Sequence, residues 1–536
     1  MPWAGTGGGV ADRTAGRLVV AFTALAALLC CLGLGRPSLW IDEAHSFEFS
    51  ALPSVPLVVL NAAARDAYPP FYFILLHGWM QVAGTEVWMR MFSVLCHLAS
   101  IPLVFVVGRQ LLSLEAGVAA AGLLALNPFH LAFAREVRMY SLLELLALVS
   151  LWGLTAWLRD GSRRGRQVWV AATVALAYTH FMAVLVPAAQ ALFVVAGGWG
   201  GPNARVRAHG FARRAAVAAL CFLPWAPLFL KAVVTTGGYG AEAPAGDLAR
   251  NFLGTLGAGF GQAPWLIALA AAGTALVALS GALALPDGPV RRIVLLSALL
   301  PPVVELAAGA MGKPVFGERT LITATPAWLL LAAAALVRAP RWQAGCAATL
   351  TGVLSGLGIA HVLVWSLGSA PAHREALATI LAQARTGDAI VHSATTTYHA
   401  VHEYYLPRSR AVVPDFLLEP QGEFRGGRLG IWFRDRWRAA RARLDPAGVL
   451  HTGVDPNRIA ERVFLGRGYR RVWYLHTDRE GARRQWLLIP AVFGDPRPEK
   501  VREIPWVCHE LVARRYRPAG TPVRWPGLVV EEYVRR

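Results

Sequence analysis

Charge is scarce in this sequence. Only 16% of its 536 residues are Asp, Glu, Lys or Arg, against 55% that are apolar. Soluble domains rarely combine the two, which argues against a protein that lives wholly in water. Cysteine is also scarce. Five of the six (Cys30, Cys31, Cys96, Cys221 and Cys346) fall in apolar runs, where they read as small packing residues. Cys508 stands alone in the C-terminal part, so no disulfide framework is built there, and no cysteine spacing suggests a zinc site. Neither the G-x-G-x-x-G nor the G-x-x-x-x-G-K-[ST] phosphate loop is found, which removes the ordinary nucleotide-binding readings. Internal repeats and long low-complexity tracts are lacking too.

What is present is a succession of apolar runs, each near the roughly 20 residues needed to cross a bilayer. They lie at about 18–35, 88–108, 116–134, 139–158, 168–181, 183–199, 214–232, 264–285, 293–311, 321–337 and 344–367. The expectation is a polytopic α-helical membrane protein of about eleven spans. A short N-terminus (1–17) precedes the membrane domain (18–368), and a soluble α/β domain follows (369–536), in which 376–384 and 434–444 read as helices and 389–393 and 471–476 as strands. The start reads as a retained anchor, because no convincing small-residue cleavage site follows the first run.

Net charge is +19. Much of that excess sits in short loops between spans: Arg159–Arg166, Arg205–Arg214, Arg291–Arg292 and Arg338–Arg341. With eleven spans and the N-terminus inside, all of these fall on the cytoplasmic side, as the positive-inside rule requires. The arginines then set topology, and nucleic acid is set aside as a partner. The basic tail suits anionic headgroups, a phosphate-bearing substrate or simply solvent. The same orientation puts Asp42, Glu43, Glu136, Glu242, Asp247, Glu318 and the whole tail outside. The apolar stretch Pro69–Ala83 is too short for a span. It reads as a re-entrant or interface-lying helix within a long first outer loop, 36–87. A second long outer loop, 233–263, has the length of a lid.

Five polar clusters lie on the outer side. Asp42 and Glu43 follow Trp40 just beyond the first span. Carboxylates at a membrane boundary are costly unless they face water, a partner or a substrate. A base working on a lipid-linked substrate belongs there, and helix capping is the plainer reading. Tyr68-Pro69-Pro70-Phe71-Tyr72 starts the short apolar helix, with its tyrosines lining a groove or anchoring the interface. Arg135-Glu136-Val137-Arg138-Met139-Tyr140 puts three charges in four residues, suited to a sugar phosphate or to an ordinary salt-bridged loop. Tyr178-Thr179-His180 joins two spans with almost no loop. Lys313 and Arg319, with Glu318 between them, set cations on the outer face against the topological trend, which favours a phosphate over headgroup snorkelling.

In this order the clusters resemble the membrane glycosyltransferases of the GT-C superfamily, over roughly residues 15–370. The likeness is to the bacterial dolichyl-phosphate-mannose-protein mannosyltransferase-like branch, which is similar to the lipid A aminoarabinose transferases. The residues that carry it are Trp40-Ile41-Asp42-Glu43-Ala44, Tyr68-Pro69-Pro70-Phe71-Tyr72 with Leu76-His77, Arg135 to Tyr140, Tyr178-Thr179-His180, and Glu318-Arg319 ahead of Pro326. The resemblance implies that Asp42 acts as general base and that Glu136 holds the acidic position of the second outer loop. It implies that Arg138, His180 and Arg319 contact the donor's phosphate or sugar. It further implies transfer of one sugar, with inversion, from a polyprenyl phosphate to an acceptor in protein, lipid or polysaccharide at the outer face of the cytoplasmic membrane. Tyr68 stands where many members carry His, which removes whatever a histidine would do there. No cofactor is called for, although a divalent ion on Asp42 or Glu43 is chemically compatible. A transporter or flippase of polyprenyl-linked sugars, and a membrane-anchored binding protein whose tail does the work, are the alternatives.

Overall fold

The computed structural model describes residues 10–64, 69–200, 204–235, 244–311, 317–368, 372–392, 400–409, 415–417, 469–476, 516–525 and 528–536, with isolated positions at 315 and 413. Tyr68, Lys313, Cys508, the first part of the 233–263 loop and the helix expected at Arg434–Leu444 lie outside the described residues. The chain divides into two compact units. The first comprises Met1–Leu32, Arg90–Phe229 and Gly237–Leu363; the second comprises Gly33–Met89, Leu230–Thr236 and Val364–Arg536.

The first unit is a helical bundle. Among the described residues of the whole chain, seven helices are long and apolar enough to cross a membrane: Val10–Cys31, Glu86–Leu111, Tyr140–Leu158, Arg205–Lys231, Pro264–Ala284, Pro289–Ala310 and Arg341–Val364. The count becomes eight if the bent pair Leu114–Ala125 and Pro128–Ala134 is one span. The expected eleven is therefore corrected. Seven of the expected runs became these helices, and four did not. Run 116–134 breaks at Leu126–Asn127 and bends by 57°. Runs 168–181, 183–199 and 321–337 fold as Arg163–Ala177, Phe181–Val195 and Thr325–Arg338. The last has 14 residues. At 1.5 Å per residue that is about 21 Å, short of a hydrocarbon core of about 30 Å. Polar caps and prolines cut these runs. Asn127 accepts from the amides of Phe129 and His130 at 3.0 and 3.2 Å, and Pro326 sits in the first turn of its helix.

Small residues let the helices close on one another, as bundles in lipid require. A Cβ on Gly281 would stand 1.8 Å from the Leu331 carbonyl oxygen, so only glycine allows the helices Pro264–Ala284 and Thr325–Arg338 to approach as they do. The core joins Leu124, Leu154, Trp169, Phe193, Ile293 and Leu330. Its polar members are paired: Gln190 Oε1 accepts from Trp169 Nε1 at 2.6 Å and from Ser150 Oγ at 3.1 Å. Outward faces carry exposed Leu269, Leu276 and Leu283, which suit lipid.

The second unit contains the short helices Ile41–Ser50, Val55–Ala64 and Phe71–Met80, the helix His373–Gln383 and a mixed sheet. Its strands are β1 (Asp388–His392), β2 (Asp415–Leu417), β3 (Arg471–His476), β4 (Tyr516–Pro518), β5 (Val523–Trp525) and β6 (Leu528–Arg535). The order is β2-β1-β3-β6-β4, with β5 also on β6. β1 runs parallel to β2 and β3, and β6 runs antiparallel to β3, β4 and β5. Every residue of β1 is buried, as a parallel strand demands. Arg471 ties three strands, donating to Asp388 Oδ2 from Nε at 3.0 Å and from Nη2 at 2.7 Å, and to Glu532 Oε1 at 2.9 Å. The expected strands at 389–393 and 471–476, and the expected helix at 376–384, correspond to observed elements.

The first loop belongs to this same unit. Tyr405 OH lies 2.7 Å from the Leu39 amide nitrogen, which donates to it, and also hydrogen-bonds Glu86. Arg374 pairs with Glu86, and its amide donates to Ser38 Oγ at 3.1 Å. Tyr404 OH donates to the Gly84 carbonyl at 3.0 Å, and the Arg408 guanidinium stacks on the Tyr404 ring at 3.8 Å.

Candidate active site

Where the short helices end, polar turns remain. In the first unit three of these turns carry the sequence-predicted residues. The turn after Pro128–Ala134 holds Arg135, Glu136 and Arg138. The turn after Arg163–Ala177 holds His180. The turn before the 3-10 helix Thr320–Thr323 holds Glu318 and Arg319. The 3-10 helices Phe181–Val184 and Thr320–Thr323 pack on each other, and the latter also packs on Tyr140–Leu158.

Arg138, His180 and Arg319 come together. Burial, followed by the positive charges of Arg138 and Arg319, pushes the imidazole of His180 down to about 4, so it is neutral at physiological pH. Its Nδ1 accepts from the Met182 amide at 3.2 Å, capping the 3-10 turn and fixing the ring. Arg138 is largely buried, its guanidinium carbon 5.8 Å from the centre of the Tyr140 ring. The Arg138 carbonyl accepts from Ser93 Oγ at 3.2 Å. Tyr140 is buried and packs on Phe133 with ring centres 4.8 Å apart. Glu136 is half-buried in the same turn.

Glu318 is fully buried. Neither carboxylate oxygen has a hydrogen-bond partner among the described residues beyond its own backbone amide. Burial pushes its carboxyl up from 4.5 to about 7, against the pull of its own amide and of Arg319.

Three further residues matter here, and two of them, Glu305 and Glu144, lie outside the predicted clusters. Arg135 does not face a ligand with both its ends. One terminal nitrogen donates to the carbonyls of Leu29 and Cys30 at 2.9 and 2.7 Å, closing the C-terminus of Val10–Cys31. Glu305 is fully buried; Oε2 accepts from Thr320 Oγ1 at 2.8 Å and from the Gly317 amide at 3.4 Å, so it braces the turn that carries Glu318 and Arg319. Glu144 is buried among histidines 97 and 130. Both acids are single charges inside apolar runs, Val303-Val304-Glu305 and Leu142-Leu143-Glu144. That isolation was the available signal, because a lone intramembrane acid marks function by default.

In the second unit, Asp42 and Glu43 open the helix Ile41–Ser50. Glu43 is buried, and its Oε2 accepts from the Trp40 amide at 3.4 Å, closing the first turn. Asp42 is half-buried, and its carbonyl accepts from Ser46 Oγ at 3.0 Å. Next to them His45 Nδ1 lies 3.8 Å from Glu48. Tyr72 is fully buried against Phe73, with ring centres 5.5 Å apart. The helix Phe71–Met80 has 10 residues, in keeping with a stretch too short to span.

The family model for dolichyl-phosphate-mannose-protein mannosyltransferase matches residues 67–227. Among solved structures, ArnT from Cupriavidus metallidurans bound to undecaprenyl phosphate is similar over 96% of this chain and 97% of that one, at 14% identity and a TM-score of 0.54. The apo form of ArnT is similar over 97% of this chain and 98% of that one, at 14% identity and a TM-score of 0.45. The Archaeoglobus fulgidus oligosaccharyltransferase with zinc and sulfate is similar over 72% of this chain and 61% of that one, at 14% identity and a TM-score of 0.42. No curated protein sequence matches the chain. The chain thus shares its fold with the ArnT structure bound to undecaprenyl phosphate, and consists of a polytopic helical membrane domain with a C-terminal mixed-sheet domain.

Proposed function

We propose that this chain is a glycosyltransferase that moves one sugar from a polyprenyl phosphate to an acceptor hydroxyl at the outer face of the cytoplasmic membrane. One observation carries the reading: the turns that bear His180 and Arg319 pack together through their 3-10 helices, and the helix that follows Arg138 packs on the same place, in a bundle with the fold of a protein crystallised with undecaprenyl phosphate. Two guanidiniums within electrostatic range of one imidazole make a locally cationic site. A phosphate leaving the anomeric carbon gains negative charge, and preorganised cations there lower the barrier. His180, fixed by its cap, is free to donate Nε2–H to a phosphate or sugar oxygen.

Asp42 is the base in this reading. It sits in the first turn of a helix pinned to the tail, and its carboxylate takes the acceptor proton as the oxygen attacks from the face opposite the phosphate, inverting the carbon. Glu136 orients the acceptor or an arginine, and Lys313 adds a cation toward the phosphate. Holding both substrates at one membrane surface reduces the entropic cost of their meeting.

The test is sugar transfer in proteoliposomes with a labelled polyprenyl-phosphate sugar. Asp42→Asn is expected to lower transfer by at least about a hundredfold while donor binding holds. Arg138→Ala with Arg319→Ala is expected to weaken donor binding itself. Full transfer by Asp42→Asn removes the base assignment. Donor binding without any glycosylated product from the wild type removes the transferase and leaves a carrier.

A further inference from the structure

Away from the arginines, three side chains from three helices meet inside the first unit. His97 comes from Glu86–Leu111, His130 from Pro128–Ala134 and Glu144 from Tyr140–Leu158. All three are fully buried. One ligand atom from each lies within 4.8 Å of the others. His130 Nδ1 is 2.7 Å from Glu144 Oε2, and His97 Nδ1 is 3.5 Å from the same oxygen. The two imidazole rings are nearly parallel, at 16°.

The cluster leaves much unused. Among the described residues, Nε2 of His130, Nε2 of His97 and Oε1 of Glu144 have no hydrogen-bond partner, and Nδ1 of His97 has only its 3.5 Å approach to Glu144. Each buried polar atom left so costs about 1–3 kcal/mol. The local structure nevertheless holds the donors in place. The Asn127 cap fixes His130 by its amide, and the Phe129 ring stands edge-on to the imidazole at 5.5 Å. Unsatisfied donors held in position are what a ligand would complete.

We propose that His97, His130 and Glu144 bind one divalent transition-metal ion of the zinc type. Two imidazoles and one carboxylate suit that class, whereas magnesium and calcium prefer oxygen-only sites. With metal–ligand distances of about 2.0–2.2 Å, tetrahedral ligand edges are about 3.3–3.5 Å. The His97–Glu144 edge, at 3.5 Å, is already there. The His130–Glu144 edge is a hydrogen bond, and it widens when the ion takes the place of the Nδ1 proton, the imidazole changing tautomer so that its one proton sits on Nε2 and the ring stays neutral. A water completes the fourth position. Two buried thiols, Cys30 and Cys96, lie within electrostatic range of Glu144, although their sulfurs are outside the group.

The site would tie the arginine turn to the bundle. His130 precedes Arg135 by five residues, Glu144 follows Tyr140 by one helical turn, and His97 is one turn beyond Ser93, which bonds the Arg138 carbonyl. The inference is independent of sugar transfer, because its readout is metal content.

The experiment uses full-length protein in detergent with any affinity tag removed, stripped with a chelator, then given Zn2+ or Co2+ and passed over a sizing column. Elemental analysis should find about one equivalent retained, and cobalt should show the intense visible bands of a tetrahedral site. His97→Asn, His130→Asn and Glu144→Gln should each lower retention at least about tenfold in protein that elutes as a single species. Retention below about a tenth of an equivalent by the wild type, or undiminished retention by the triple variant, overturns the proposal. If the variants fail to fold, the wild-type cobalt spectrum decides, and a weak octahedral spectrum or none overturns it.

Discussion

Glu318→Gln isolates the energetic consequence of burying an acid beside Arg319. In the folded chain this carboxyl titrates near 7, and in the unfolded chain near 4.5. The native state therefore holds its proton more tightly than the unfolded state does. Below about pH 4.5 the group is protonated in both states and its contribution is fully present. Between 4.5 and 7 the unfolded state loses its proton first, so stability falls as pH rises, and above 7 the loss is complete. A gap of about 2.5 pH units corresponds to about 3 kcal/mol. The side chain is fully buried, so solvent does not screen its charge. Glutamine keeps the shape of the protonated acid and cannot ionise. At pH 5 the variant and wild type should unfold at similar temperatures, and at pH 8 the variant should be more stable by a few degrees. Thermal unfolding by intrinsic fluorescence in one detergent, from pH 5 to 9, reads the difference. A difference that stays flat across that range refutes the reasoning, whichever sign it has.

Other outcomes follow from single contacts. Arg135→Ala should cost about 2–3 kcal/mol, because two buried carbonyls at the end of Val10–Cys31 lose a charged donor; thermal unfolding checks it, and Arg135→Lys should recover part of the loss. Gly281→Ala should be severely destabilising, because its methyl would stand inside the Leu331 carbonyl, and the yield of monodisperse protein is the measure. Glu43→Gln can still accept from the Trp40 amide, so transfer should stay within about threefold of wild type while Asp42→Asn fails. Removing the tail from residue 370 should destabilise the first-loop helices as well, which limited proteolysis within residues 36–87 would reveal.

Much of the fold was legible because long runs without polar interruption have one stable outcome in lipid. The seven longest helices correspond to runs read directly. The other four runs were apolar enough, but Asn127 starts a new helix within one of them and Pro326 sets the start of another in its first turn. Hydropathy does not register where a helix stops. Strand β3 was legible for a similar reason, since Val472, Trp473 and Leu475 are buried in a short run. Of the candidate site, Arg138, His180 and Arg319 were legible as polar residues at the ends of runs, where their cost demands a use. Glu305 and Glu144 were hidden inside runs. The metal-type cluster was hidden further, because His97, His130 and Glu144 are joined only by the way three helices cross. Glu43, an acid beside Asp42 that reads either as a second catalytic group or as a cap, has its carboxylate on the Trp40 amide in the first helical turn.

The attachment of Leu39 and Gly84 to Tyr405 and Tyr404 changes what counts as a transplantable module. An engineer exchanging C-terminal portions between two such chains would break these tethers if the cut were made only at residue 369. A graft that carries positions 33–89 together with 364–536 would preserve them, and with them the setting of the carboxylate at position 42. Two pieces far apart in chain order would then have to be inherited as one.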